Sequence, residues 1–166
     1  MIKLYNNNVY EQNHTRITAT MKLFEYQTIL PHPIEDVFAL TVDLQKAPHW
    51  HSIFTNVKQI TLDPIGLGSR WQVSYGMGGI EPDMILEIID YVPPSRVVFE
   101  ARRSFGMVPN FTIELQAVEK GTAVRYLLHP DIPSLLKPLM ATFAVPYGRR
   151  DLDRYFRELD VMLARA

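Results

Sequence analysis

At 166 residues the chain fits one domain, long enough to bury roughly 70% of its unfolded surface without a disulfide or a metal. An apolar fraction of 47% against 21% charged excludes a wholly disordered chain, and a net charge of −1 argues against a nucleic-acid partner. The lack of cysteine removes disulfides, thiolate nucleophiles and cysteine-ligated zinc or iron–sulfur centres.

Residues 1–20, with Asn6-Asn7-Asn8 and the polar stretch Glu11 to Arg16, show little periodicity. They are expected to form a poorly ordered leader ahead of one domain at 21–166, which Met21 opens. They lack the continuous apolar core of a signal peptide, and no run reaches the roughly 18 apolar residues of a membrane span. The expectation is a cytoplasmic protein without integral membrane association. On that reading the glycosylation triplets at Asn13 and Asn110 are chance matches.

A β-rich run from Lys22 to Leu30 ends at Pro31-His-Pro33. Proline suits a helix start, and Ile34, Val37 and Phe38 follow at i, i+3, i+4 with Glu35 and Asp36 in the first turn. A second short helix is expected around Asp43 to Trp50, interrupted by Pro48. Six further β runs follow: Thr55–Leu62, Ser69–Tyr75, Ile80–Tyr91, Arg96–Arg103, Val108–Val118 and Thr122–His129. The glycines and prolines between them supply tight reversals, so the strands should meander antiparallel. Trp71, Val73 and Tyr75 share one face of their strand, as do Phe111, Ile113, Leu115 and Ala117 of theirs and Val124, Tyr126 and Leu128 of the last. A bulge would reverse these faces beyond it.

The C-terminal stretch turns helical. Pro133 suits a helix start, and Leu135, Leu136, Leu139, Met140 and Phe143 form an apolar stripe that Pro138 can split. Leu152, Tyr155, Phe156, Leu159, Met162 and Leu163 then recur at helical spacing opposite Asp153, Arg154, Arg157 and Glu158. Pro146 and Gly148 are expected to kink or break the chain between the two stripes.

Several segments carry a resemblance. They are Pro33-Ile-Glu-Asp-Val-Phe, Trp50, Gly66-Leu-Gly68-Ser-Arg-Trp71, Asp90-Tyr-Val-Pro-Pro-Ser-Arg-Val-Val-Phe-Glu100 and Gly121-Thr-Ala-Val-Arg-Tyr126. With the order of elements, they make the chain from Lys22 to Ala166 similar to the START/Bet v 1-like (SRPBCC) superfamily, and within it to the polyketide cyclase/dehydrase and lipid-transport group. The resemblance implies an α+β helix-grip fold: a curved antiparallel sheet of about seven strands, two short helices after strand 1, and a long C-terminal helix over a cavity. It implies an elongated pocket, which in family members takes lipids, sterols, polyketides or plant hormones. Some members catalyse cyclisation or dehydration, and others bind proteins. No shared catalytic motif transfers to numbered positions.

Three functions are therefore weighed. The first is binding or transport of a small hydrophobic or amphipathic ligand, lipid- or polyketide-like. Its lining would come from Trp50, Trp71, Val73, Tyr75, Phe99, Phe111, Ile113, Tyr126, Leu139, Phe143 and Tyr147. The second is a cyclase, aromatase or dehydratase using His49, His51, Tyr75 or Tyr126 as acid–base or oxyanion groups. The third is a protein-binding module, which demands a large exposed apolar patch. His49-Trp50-His51 has metal-ligand spacing but no recognisable third ligand, so no metal is expected. Asp83 and Glu87, on one face of a strand, read as a solvated stripe. Phosphate-loop and dinucleotide fingerprints are absent, so no cofactor is expected. The Gly76–Gly79 turn and the Pro146–Gly148 break are candidate gates. The oligomeric state has no signal in the sequence.

Overall fold

The computed structural model describes residues 24–49, 54–61, 64–75, 83–102, 109–130 and 137–165, with side chains for all of these except 24, 49, 55, 75, 109, 130 and 137–148. Among the described residues there are seven strands: β1 (Phe24–Leu30), β2 (Phe54–Gln59), β3 (Arg70–Tyr75), β4 (Asp83–Val92), β5 (Arg96–Arg102), β6 (Pro109–Val118) and β7 (Gly121–Pro130). Helix α1 (Ile34–Val42) and a 3-10 turn (Leu44–His49) separate β1 from β2, and helix α2 (Lys137–Leu163) closes the chain.

The strands form one antiparallel sheet in the order β1-β7-β6-β5-β4-β3-β2. From β2 to β7 each strand pairs with its successor, as short Gly- and Pro-containing turns require. Strand β1 stands apart: it crosses to the far edge and pairs with β7 along its whole length, from Phe24 opposite Leu128 to Leu30 opposite Thr122. The chain after Leu30 passes tightly against the start of β7. A Cβ on Gly121, whose φ is +124°, would collide with the Leu30 carbonyl and lie 2.8 Å from Pro31 Cα. Beside it, Thr122 Oγ1 donates to the His32 carbonyl at 2.8 Å.

Helix α1 begins as its sequence dictates. Pro33 caps it, the Val37 amide donates to the Pro33 carbonyl at 3.1 Å, and Glu35 and Asp36 occupy the positive first turn. Its buried face is Val37, Phe38, Thr41 and Val42. The 3-10 turn contains Pro48. In β4 the pairing slips between Ile88 and Asp90, so Tyr91 rather than Asp90 continues the inward set of Leu86 and Ile88. That bulge reverses parity as described above, and it lets the Tyr91 ring meet Phe38 of α1 at 5.5 Å.

The helix at the C-terminus shows no break between the two apolar stripes. It runs unbroken for 27 residues, about 40 Å at 1.5 Å per residue, through Pro138, Pro146 and Gly148. Pro138 is its second residue, where no intrahelical amide bond is lost. Pro146 removes one bond from a long ladder. The tertiary burial of Leu152, Tyr155, Phe156 and Leu159 holds the later turns regardless of that loss. The expected start at Pro133 and its neighbours lies outside the described residues. The apolar face of the sheet, α1, the 3-10 turn and the second half of α2 share one core, with Trp71, Phe99, Leu86, Ile88 and Leu159 among its fully buried members.

Candidate functional site

Register places one continuous set of side chains on the concave face. Trp71 pairs with Leu86 and Leu86 with Ala101; Ile88 pairs with Phe99, Phe99 with Phe111 and Phe111 with Leu128. In the adjoining row Val97 pairs with Ile113, Ile113 with Tyr126 and Tyr126 with Tyr26. No Asp, Glu, Lys or Arg occupies these positions. The charged residues sit on the convex side, where they pair: Arg70 with Glu87 at 3.1 Å, and Arg125 with Glu25 at 2.7 Å and Glu114 at 2.9 Å. Asp83, accepting from Ser74 Oγ at 2.8 Å, and Glu87 are thus surface groups.

Aromatic rings cross the concave face in a file. Trp71 lies 6.3 Å from Phe99, which stacks on Phe111 at 4.9 Å, which in turn stacks on Tyr126 at 5.8 Å. Offset rings at such distances attract beyond their area burial. Trp71 and Phe99 are wholly buried, whereas Phe111 and Tyr126 are partly open. Trp71 Nε1 is buried and has no acceptor among the described residues.

Of the residues singled out from sequence, Trp71, Val73, Phe99 and Ile113 are buried on this face, and Phe111 and Tyr126 are half-buried there. Tyr75 closes β3 opposite Phe54, His49 ends the 3-10 turn, and Leu139, Phe143 and Tyr147 lie in the first half of α2; their side chains are not described. Trp50, His51 and the Gly76–Gly79 turn fall outside the described residues. Tyr126 is therefore the one acid–base candidate whose side chain is placed. Among the described residues no group of three or more His, Asp or Glu is set to hold a metal ion.

The structure adds a second feature. A groove of about 360 Å³ runs between β1 and α2, lined by Tyr26, Thr28, Asp153, Phe156, Arg157 and Asp160 among others. Tyr26 stacks on Phe156 at 5.4 Å and donates from its hydroxyl to Asp153 Oδ1 at 2.7 Å. His32 Nε2 meets Asp160 Oδ1 at 2.7 Å. Burial first, and then the bond to the Asp153 carboxylate, push the Tyr26 hydroxyl up to about 12. The alternation of Glu25 and Gln27 with Tyr26 and Thr28 could have assigned Tyr26 to the inner face. Its partner, 127 residues away, leaves no mark on the sequence.

A seven-stranded antiparallel sheet whose concave, uncharged face is gripped by one long C-terminal helix is a helix-grip protein. The chain belongs to the polyketide cyclase / dehydrase and lipid transport family, whose model matches residues 21–161. Membership implies a cavity for a hydrophobic ligand. Sequence comparison with curated proteins finds no match. Among solved structures the chain is similar to TTHA0849 of Thermus thermophilus, with a TM-score of 0.67 at 15% identity over 84% of this chain and 95% of that one. It is similar also to Ara h 8.0201, with a TM-score of 0.63 at 14% identity over 86% and 97% of the two chains. A third similarity is to StfQ, the di-domain ARO/CYC of the steffimycin biosynthetic pathway, with a TM-score of 0.63 at 12% identity over 95% of this chain and 54% of that one. At these identities the likeness is one of fold.

Proposed function

We propose that the protein binds a small hydrophobic or amphipathic molecule, lipid- or polyketide-like, between the concave face of the sheet and helix α2. The observation that carries this reading is the aromatic file from Trp71 to Tyr126, on a sheet face that bears no charged residue among those described. Removing apolar area from water at roughly 25 cal/mol per Å² supplies the affinity, and a few polar tips supply the orientation. Phe111, Tyr126 and, from sequence, Trp50, Tyr75, Leu139, Phe143 and Tyr147 complete the proposed lining around the buried Trp71, Val73, Phe99 and Ile113.

The convex face does not favour a protein-binding module. Among the described residues the large exposed apolar side chains Ile29, Ile60, Leu67, Val92 and Val161 are distributed over β1, the β2–β3 connection, the end of β4 and α2. Among the described residues no helix is long and apolar enough to cross a membrane.

The test is extraction of small molecules from freshly purified, natively folded protein, followed by mass spectrometry. A hydrophobic compound at stoichiometric amount supports the reading. Its absence, together with failure of hydrophobic probes to bind, overturns it.

A further inference from the structure

The two edges of the sheet differ. An edge strand turns alternate N–H and C=O groups outward, and natural sheets blunt such edges with lysine, proline, a bulge or a covering element. Strand β2 has this protection: its register shifts between Phe54 and Asn56, it carries Lys58, and the 3-10 turn lies against it. Strand β1 has neither Lys nor Pro, and it keeps one register with β7 from Phe24 to Leu30. Among the described residues no second strand lies beside it. Ile29, near its end, is 54% exposed. The groove of about 360 Å³ follows this edge, between β1 and α2.

Helix α2 sets a row of charges along the groove. Tyr26 bonds Asp153 and His32 bonds Asp160, each at 2.7 Å, so the helix runs beside β1 with Asp153 level with Tyr26 and Asp160 just past Leu30. Arg157 comes between them on the same helix face and also lines the groove. Its Nε–H donates to the Asp153 backbone carbonyl at 3.1 Å rather than to either carboxylate. Each Asp engages one carboxylate oxygen in the bond named, and the second can still accept. The row therefore reads negative, positive, negative.

We propose that the outer edge of β1 receives an extended peptide segment of a partner protein as an added strand, and that this segment carries a basic, an acidic and a basic residue at alternate positions. Backbone bonds to the edge supply the affinity, and alternate side chains supply the specificity. Those side chains stand about 7 Å apart on one side of the added strand. Beside Tyr26, Thr28 and Leu30 they meet Asp153, Arg157 and Asp160 in turn. A second copy of β1 does not match the row: its alternate sets are Tyr26, Thr28 and Leu30, without charge, and Glu25, Gln27 and Ile29, without a base. The inference goes beyond the cavity reading and does not depend on it, since the segment lies outside the sheet edge and not on the aromatic file.

The test titrates two end-capped peptides, Thr-Lys-Val-Glu-Val-Lys-Thr and its charge-reversed form Thr-Glu-Val-Lys-Val-Glu-Thr, into the ¹⁵N-labelled full chain. The first is expected to shift the amides of β1, to slow hydrogen exchange at alternate ones, and to bind roughly tenfold more tightly than the second. That difference should narrow in about 0.5 M salt, which screens exposed charges. Arg157→Glu is expected to weaken the first peptide roughly tenfold and to favour Thr-Lys-Val-Lys-Val-Lys-Thr in its place. If that variant does not fold, the two peptides on the natural chain decide the matter. Equal binding of both peptides, shifts that leave β1 untouched, or no binding up to about 1 mM overturns the proposal. So do nuclear Overhauser contacts in the free protein between the β1 amides and residues 1–23, which would give the edge to the chain's own start. A dimer of the free protein paired through β1 also overturns it.

Discussion

The Tyr26 hydroxyl donates to Asp153 at 2.7 Å, so the first strand of the sheet holds the last helix across 127 residues of chain. The same ring lies flat on Phe156, at an interplanar angle of 3°. One side chain thus contributes both dispersion and a charge-assisted bond to the seam where α2 meets the sheet edge.

Replacing Tyr26 by Phe keeps the stacking and removes the bond. The expected loss of stability is about 1–2 kcal/mol, in the range for a hydrogen bond to a charged acceptor at a partly exposed site, measured by chemical denaturation. The pH dependence has a definite sign. The folded hydroxyl titrates at about 12 against an ordinary value of 10.0, so its contribution is complete below pH 10 and is lost as pH rises through 12. In Tyr26→Phe the decline in that alkaline window should be shallower; an unchanged slope contradicts the assignment.

Gly121 and Gly66 give a paired prediction. Gly121→Ala meets both a positive φ of +124° and the Leu30 carbonyl, and is expected to cost about 2 kcal/mol or more. Gly66→Ala has nothing within 4 Å of the new methyl group and is expected to stay within about 0.5 kcal/mol of the natural protein. Thermal denaturation of the two variants side by side checks both, and similar costs would sink the argument.

Phe99 and Phe111 should separate stability from binding. Phe99→Ala removes a fully buried ring and is expected to cost about 3–5 kcal/mol. Phe111 is partly open, so Phe111→Ala should cost about half as much and weaken binding of a hydrophobic probe relative to the loss in stability. Titration with a fluorescent apolar dye, next to denaturation curves, reads the two effects apart. An unchanged dye affinity in Phe111→Ala would remove that residue from the proposed lining.

A chain beginning at Met21 is expected to fold, since β1 starts at Phe24 and every strand pairing described lies beyond it. Circular dichroism and the cooperativity of unfolding give the answer: loss of a cooperative transition contradicts the domain limit at residue 21.

Much of this fold was legible because the local signals agree. The turns at Gly66-Leu-Gly68 and Pro93-Pro-Ser95, the alternation in β3 and β6, and the helical stripe from Leu152 each specify one element without reference to the others. Helix continuity at Pro146 was not legible, because a lost amide bond is a local cost and the packing that offsets it is tertiary. Nor was the inward turn of Tyr91: it depends on a bulge at Ile89, and nothing in Ile88-Ile89-Asp90 marks which residue is extra. Inward faces could be read from period-two patterns, and Trp71, Val73 and Ile113, assigned that way, are buried on the inner face. Ala117 shared the pattern but is exposed, one residue from the end of β6. Pairings such as Tyr26–Asp153 and His32–Asp160 depend on where a strand and a helix far apart in sequence come to rest.

The placement of β1 beside β7 sets an order of events during synthesis. The first strand has no partner until residues 121–130 exist, and Tyr26 has no acceptor until Asp153 is made. Until then the chain carries an unpaired strand edge and an uncovered file of aromatic rings. The face proposed to receive a ligand is therefore open to solvent until the last helix is made and closes over it.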